Sequence, residues 1–325
     1  MISESPPLGT ELELTSGRGR RKGRRSGLTS VKPRAPSTKT ANPGQSFSVS
    51  MRNAFVPFEQ GMLLAADYSQ LELRLIAHLA EDGRLQNVLN SGGDVFKMIA
   101  GEMACAPIDS VTDQQRQRAK QICYGMIYGI GAKALGEQLD ISEDDAAVFM
   151  ETFKSKYRGV KAYLKRTLEF CKKHGYVKTL MGRKRYLPSI HSTSSHARSQ
   201  AERQAVNTTV QGSAADLVKI AMINIEKRLG EVFPSCSLPH RNKRKITETP
   251  SKRQQSRLKG NKNTPRGGYF VLQLHDELIY EVAKTDLKQV AEIVRHEMET
   301  AVKLSVLFPV KLKVGSSWGN LSPFE

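Results

Sequence analysis

Two apolar runs, far apart in a chain of 325 residues, each deliver a carboxylate. Met62–Tyr68 (MLLAADY) reads as a short buried strand with Asp67 near its end. Tyr269–Leu274 and Leu278–Val282 read as the two strands of a hairpin, with His275, Asp276 and Glu277 at its tip. A carboxylate beside a buried strand costs free energy unless it is paired or binds a cation. Taken singly, each acid is explained as a turn residue or a helix cap. Brought together from separate strands, the two would repel unless divalent metal neutralised them, and two-metal phosphoryl transfer uses such a pair.

The segments between them are helical. Leu71–Leu79 places Leu71, Leu75 and Leu79 on one face, and Val111–Tyr128 has Thr112 and Asp113 as N-terminal cap candidates. Ser142–Tyr157 opens on SEDD, Gly159–His174 ends before Gly175, and His196–Leu229 is a long helical stretch. Tyr176–Leu187 reads as a small hairpin around Met181 and Gly182. Asp286–Leu304 reads as a helix, and Pro309–Val314 as a last strand with period-two alternation. The expected class is α+β, a small antiparallel sheet with helices inserted between its strands.

The net charge of +18 is concentrated. Residues 1–50 carry nine Lys/Arg and three Glu, and residues 235–266 carry ten Lys/Arg and one Glu. Both stretches lack hydrophobic periodicity and are expected to be flexible. They read as basic arms for phosphate backbone, or, in Gly17–Arg25, as a nuclear-import signal. No apolar run reaches the length of a membrane span, and the N-terminus lacks the apolar core of a signal peptide. Cys105, Cys123, Cys171 and Cys236 form no cluster, so reduced thiols inside a cell are the expectation, with no membrane partner.

Two helical faces carry chemistry. Arg116, Lys120, Tyr124 and Tyr128 recur every four residues, giving two cations and then two aromatics on one face. Cations can hold triphosphate oxygens and an aromatic can stack on a base. A salt-bridged surface with aromatics in the core explains the same face without a ligand. Arg203, Asn207 and Gln211 repeat the spacing with polar groups, which suits either duplex DNA or a solvated helix face.

Asp67-Tyr-Ser-Gln-Leu-Glu-Leu-Arg74 resembles motif A of family A DNA polymerases. Arg116-xxx-Lys120-xxx-Tyr124-Gly-xx-Tyr128-Gly resembles motif B, and His275-Asp276-Glu277 resembles motif C. Gly182–Pro188 and Arg203–Asp216 resemble further family segments, and the likeness covers roughly residues 47–325. The resemblance implies a right-hand polymerase fold: palm with motif A over 47–95, fingers with motif B and following helices over 96–214, and palm with motif C over 215–325. A basic arm (1–46) precedes it and a basic loop (231–267) interrupts it, while the thumb lies outside the chain.

The resemblance also implies roles. Asp67 and Asp276, with the backbone carbonyl of Tyr68, correspond to ligands of two Mg²⁺ ions, for which Mn²⁺ can substitute, and Glu277 corresponds to an accessory acid. Arg116 and Lys120 correspond to triphosphate ligands, with Lys120 the proton donor to pyrophosphate. Tyr124 lies against the incoming nucleotide, Glu72 is the steric gate against a ribose 2′-OH, and Gln70 joins the dNTP-binding set. Tyr128, Arg203, Asn207, Gln211 and His275 correspond to primer and template contacts.

The segments QICYGMIYGIGAKALGEQL and YFVLQLHDELIYEVA, with the basic insertions, resemble the theta branch of the family more than its nu branch. That likeness implies a nuclear enzyme that adds dNTPs to a primer-template, binds single-stranded overhangs, joins broken ends through microhomology and copies damaged templates. Upstream thumb, exonuclease-like and helicase regions are then expected in the full protein. The alternative is a DNA-binding polymerase fragment, inactive alone without them.

Overall fold

The structure is a computed structural model that describes residues 50–234 and 265–325. Almost all of the two basic stretches lies outside the described residues, as does Cys236.

A five-stranded antiparallel sheet carries the fold, in the order β4-β5-β1-β6-β7. Its centre is β1 (Gly61–Tyr68), flanked by β5 (Glu277–Ala283) and β6 (Val310–Gly315). The edges are β4 (Gly268–Leu274) and β7 (Leu321–Phe324). The strand that the apolar run predicted therefore lies in the middle of the sheet. Side chains alternate across it: Leu64, Ala66 and Tyr68 enter the main core under the helices. Leu63 and Ala65 join a smaller cluster with Ile279 and Trp318 on the opposite face. By the same alternation Asp67 belongs to that second, less covered face.

Helices α1 (Leu71–Leu79), α2 (Gly83–Asn90), α3 (Val95–Ala104), α4 (Asp113–Tyr128), α5 (Ala132–Leu139), α6 (Glu143–Lys156) and α7 (Arg158–His174) follow β1 in the chain. The small hairpin β2 (Tyr176–Lys178) and β3 (Lys184–Tyr186) precedes α8 (Ser195–Val232). At 38 residues α8 spans about 57 Å, and it packs against α1, α4, α7 and α9 (Leu287–Glu299). The α+β class read from the sequence is the one observed. Among the described residues no helix is long and apolar enough to cross a membrane.

Local signals placed most helix ends correctly. Thr112 caps α4 in a full capping box with Gln115, so Val111 and Thr112, expected inside the helix, precede it. Ser142 caps α6, and Gly175 ends α7 at φ 73°. Two further expectations are corrected. The last helix stops at Glu299 and not at residue 304. Helix α8 runs on through Glu231 and Val232, expected in the basic loop. Helix α1 has the bounds read from the sequence, with Leu71, Leu73, Arg74, Leu75, Ile76 and Ala77 buried and Leu79 half-buried. Helices α2, α3 and α5 and strand β7 had no counterpart in the sequence reading.

Candidate active site

Register brings the two distant acids together. In the antiparallel ladder Asp67 lies directly opposite Glu277 on one side and Lys311 on the other. Asp276 is the second residue of the two-residue turn joining β4 to β5, one position before that pair. His275, the first turn residue, adopts φ 55°, a left-handed conformation that tight hairpins require and non-glycine residues rarely take. Locally costly geometry thus holds Asp276 at the sheet's rim, beside the end of β1.

The electrostatics follow from this placement. Burial, then the charges of Asp276 and Glu277, push the Asp67 carboxyl up to about 7, against smaller pulls from Lys313 and Lys311. Burial also raises Asp276, with His275 acting the other way. Neighbouring carboxylates that repel lose their protons as a coupled set, so the upward shift belongs to the acids together. Burial raises Glu277 as well, opposed by Arg52, Lys313 and the Trp318 side chain. Lys311 and Lys313 are exposed on alternating positions of β6 and were not singled out by sequence reasoning. The period-two pattern of that strand was the available signal.

Glu72 links three elements. It sits in the first turn of α1 and accepts a hydrogen bond from the Tyr128 hydroxyl at the end of α4. Burial raises its pKa, and the nearby Asp276 charge adds to this, while hydrogen bonds from Tyr128 and Gln211 of α8 oppose it. Tyr124 stacks on Tyr128 with centroids 6.2 Å apart and 15° between planes, and lies 6.0 Å from Phe96. Burial raises the Tyr124 phenol, and the charges of Glu72, Asp276 and Asp67 contribute. Asp67, Glu72, Tyr124, Tyr128, Gln211, His275, Asp276 and Glu277 therefore share one electrostatic neighbourhood.

The remaining candidates lie around it. Lys120 is half-buried and has no ion-pair partner among the described residues. Arg116, one turn earlier, is engaged: its Nε donates to Asp94 Oδ2 at 2.7 Å, and its guanidinium lies 5.9 Å from the Phe96 ring. Its two Nη groups have no hydrogen-bond partner among the described residues. Asp94 also caps α3 by accepting from the Phe96 and Lys97 amides, a role sequence reasoning missed. Arg203 packs against Gly129, which ends α4 at φ 66°, and its Nη1 donates to Ser199 Oγ at 3.2 Å. Asn207 Oδ1, on the polar stripe, is buried with no hydrogen-bond partner among the described residues, and a buried acceptor of this kind is open to a donor. Gln70 occupies the β1–α1 turn at φ 53° with no capping hydrogen bond from its side chain.

Arg74 fixes that turn. It is 4% exposed, and donates from Nε to the Ser69 carbonyl (2.9 Å) and from Nη1 to the carbonyls of Leu89 (2.9 Å) and Leu307 (2.8 Å). Burial pulls its guanidinium down to about 10. The motif A likeness included Arg74 without giving it a role.

Among the described residues, no three His, Cys, Asp or Glu side chains form a group able to hold a metal ion by themselves. The pair Asp67 and Asp276, with the carbonyl of Tyr68, nevertheless suits a hard cation by donor chemistry, since such ions take oxygen ligands. The raised Asp67 carboxyl marks a place short of positive charge.

Comparison with known proteins shows the family. The profile of DNA polymerase family A matches residues 35–320. DNA polymerase theta of Mus musculus is 54% identical over 289 residues, covering 88% of this chain and 11% of the mouse protein. DNA polymerase I of Bacillus caldotenax is 39% identical over 269 residues, covering 82% of this chain and 27% of the relative. Among solved structures, the POL domain of Pol1 from M. smegmatis, in complex with DNA primer-template and dNTP, superposes with a TM-score of 0.70 at 35% identity. That match covers 82% of this chain and 42% of the other. The chain thus spans about a tenth to a quarter of these two relatives and less than half of the solved structure.

Proposed function

The chain belongs to DNA polymerase family A, and from that premise we propose that it carries the nucleotide-adding site of a DNA-directed DNA polymerase. The observation behind this reading is the convergence of Asp67, Asp276 and Glu72 with Tyr124 and Tyr128 of α4 at one rim of the sheet. They come from three separate motifs, and no single local signal required them to meet.

In this reading Asp67, Asp276 and the Tyr68 carbonyl hold two Mg²⁺ ions. When bound, the ions supply charge neutralisation at the attacking 3′-oxygen and the leaving group. The protein's own groups do the rest. Arg116, through its free Nη donors, and Lys120 grip the triphosphate, and Lys120 gives a proton to the departing pyrophosphate. Tyr124 lies against sugar and base, Gln70 completes the nucleotide pocket, and Glu72, braced by Tyr128, fills the space of a 2′-OH. Asn207, with its free acceptor, joins Arg203, Gln211 and His275 in contacts to primer and template. Glu277 assists beside the two aspartates.

We place the activity with the theta type, in the nucleus, in end joining through short homologies and in copying damaged templates. The higher identity to mouse theta than to the Bacillus enzyme supports this, as do the two basic stretches. Residues 235–266 then track DNA phosphates, and their removal should flatten the salt dependence of binding by about 0.7 to 0.9 for each phosphate they neutralise.

Primer extension by this chain, beside Asp67→Asn and Asp276→Asn, tests the proposal. Extension that falls by roughly a thousandfold in either variant, with DNA binding retained, is the expected result. Near-normal extension by either variant would refute the metal assignment. DNA binding with no extension even by the unsubstituted chain would leave the narrower reading of a DNA-binding module.

A further inference from the structure

The β2–β3 hairpin carries a surface that the nucleotide-adding site does not use. Its ladder pairs Tyr176 with Tyr186 and Lys178 with Lys184. With period-two alternation these four side chains share one face of the hairpin. The other face sends Val177 into a small core with Cys171, Leu187 and Ile190. On the outer face Tyr176 and Tyr186 lie 5.6 Å apart, and Tyr186 is 68% exposed. Phe170 and His174, at the end of α7, extend the aromatic surface, with Phe170 5.6 Å from Tyr176 and 4.4 Å from His174.

The charge on this face is one-sided. Residues 172–186 contain six Lys/Arg and no Asp or Glu. Lys172 is paired with Glu202, Arg183 with Asp216, and Arg185 donates to Thr208. Lys173, Lys178 and Lys184 have no carboxylate partner among the described residues. Lys178 and Lys184 sit directly opposite each other, a pairing that destabilises a ladder. Both instead lean on the Tyr176 ring, at 6.0 and 4.8 Å. A hairpin that served stability alone would oppose one lysine with an acid.

The hairpin is also held rigidly. Arg183 Nε donates to Asp216 Oδ1 at 2.8 Å, Arg185 Nη1 to Thr208 Oγ1 at 2.8 Å, and the Leu180 amide to Ser213 Oγ at 2.8 Å. All three anchors, Thr208, Ser213 and Asp216, lie on α8, which also carries Asn207 and Gln211. A preorganised platform loses little entropy when a ligand is ordered on it.

We infer that this face, formed by Phe170, His174, Tyr176, Lys178, Lys184 and Tyr186, docks an unpaired stretch of DNA, with bases on the rings and phosphates on the lysines. Exposed π-faces between unpaired cations are the recognition chemistry of single strands, whose bases are free to stack, whereas a duplex hides them. The inference rests on the polymerase reading for the identity of the nucleic acid, and extends it to a surface outside the motifs.

Equilibrium binding by the whole chain to three probes tests it: an oligo-dT single strand, an abasic strand of equal length and a blunt duplex. Tyr186→Ala should weaken oligo-dT binding by about tenfold and leave the abasic strand and the duplex within about twofold. Tyr186→Phe, which keeps the ring, should bind oligo-dT like the unsubstituted chain. The double substitution Lys178→Gln and Lys184→Gln should flatten the log–log salt slope on either single strand by about 1.4. Equal weakening on abasic and base-carrying strands would overturn the stacking surface, as would no change on any probe. If the unsubstituted chain bound neither single strand nor duplex, both this inference and the polymerase reading would fall; if it bound duplex alone, only this inference would.

Discussion

Asp67→Asn should make the metal-free protein more stable while removing its activity. The substitution keeps the shape of the side chain and deletes a charge that burial, Asp276 and Glu277 all oppose. A carboxyl moved from 3.8 to about 7 on folding corresponds to about 4 kcal/mol at alkaline pH. Water reaching this partly buried group reduces that to about 2–4 kcal/mol. Because the folded value lies above the unfolded one, the wild-type protein loses this stability as pH rises from about 4 through about 7, and the loss is constant beyond. The asparagine variant has no such dependence. Urea denaturation in chelator should therefore give curves that coincide near pH 4 and separate by pH 8, and thermal melts at pH 8 should differ by roughly 5 to 15 °C. Added Mg²⁺ should narrow the gap by stabilising only the wild type. A variant no more stable than wild type at pH 8, or a gap already present at pH 4, would refute the crowding of charge at Asp67.

Three further outcomes follow from side chains around the site. Arg74→Met strands three carbonyl acceptors in the interior and should cost about 3–5 kcal/mol in urea denaturation, and Arg74→Lys should recover only part, because an ammonium lacks the guanidinium fork. Glu72→Ala should raise kcat/KM for ribonucleotides relative to deoxynucleotides by about tenfold or more, whereas a merely structural Glu72 would lower both alike. Tyr124→Phe should increase discrimination against dideoxynucleotides by about tenfold, since a tyrosine hydroxyl can replace the hydrogen bond of the missing 3′-OH. Unchanged discrimination in single-turnover incorporation would place Tyr124 away from the sugar.

What the sequence by itself determined is local. A run of apolar residues in MLLAADY made β1, the Thr112 and Gln115 side chains set the start of α4, and Gly175 set the end of α7. The spacing of Tyr124 and Tyr128 by four residues was enough to stack them. Such features depend on neighbours within a turn or two of the chain, so periodicity and caps reveal them. Tertiary structure decided the rest. The pairing of Asp67 with Glu277 and Lys311, the hydrogen bond from Tyr128 to Glu72 and the Leu89 and Leu307 carbonyls on Arg74 join residues well separated along the chain. The edge strand Leu321–Phe324, with its proline and exposed serine, exists because β6 offers it a ladder. Helix α9 ends at Glu299, where the chain turns back towards β6, although its sequence pattern continues. The charge state of Asp67 belongs to this second group, because burial, its largest cause, and the nearby charges of Asp276 and Glu277 are set by packing and strand register, not by neighbours along the chain.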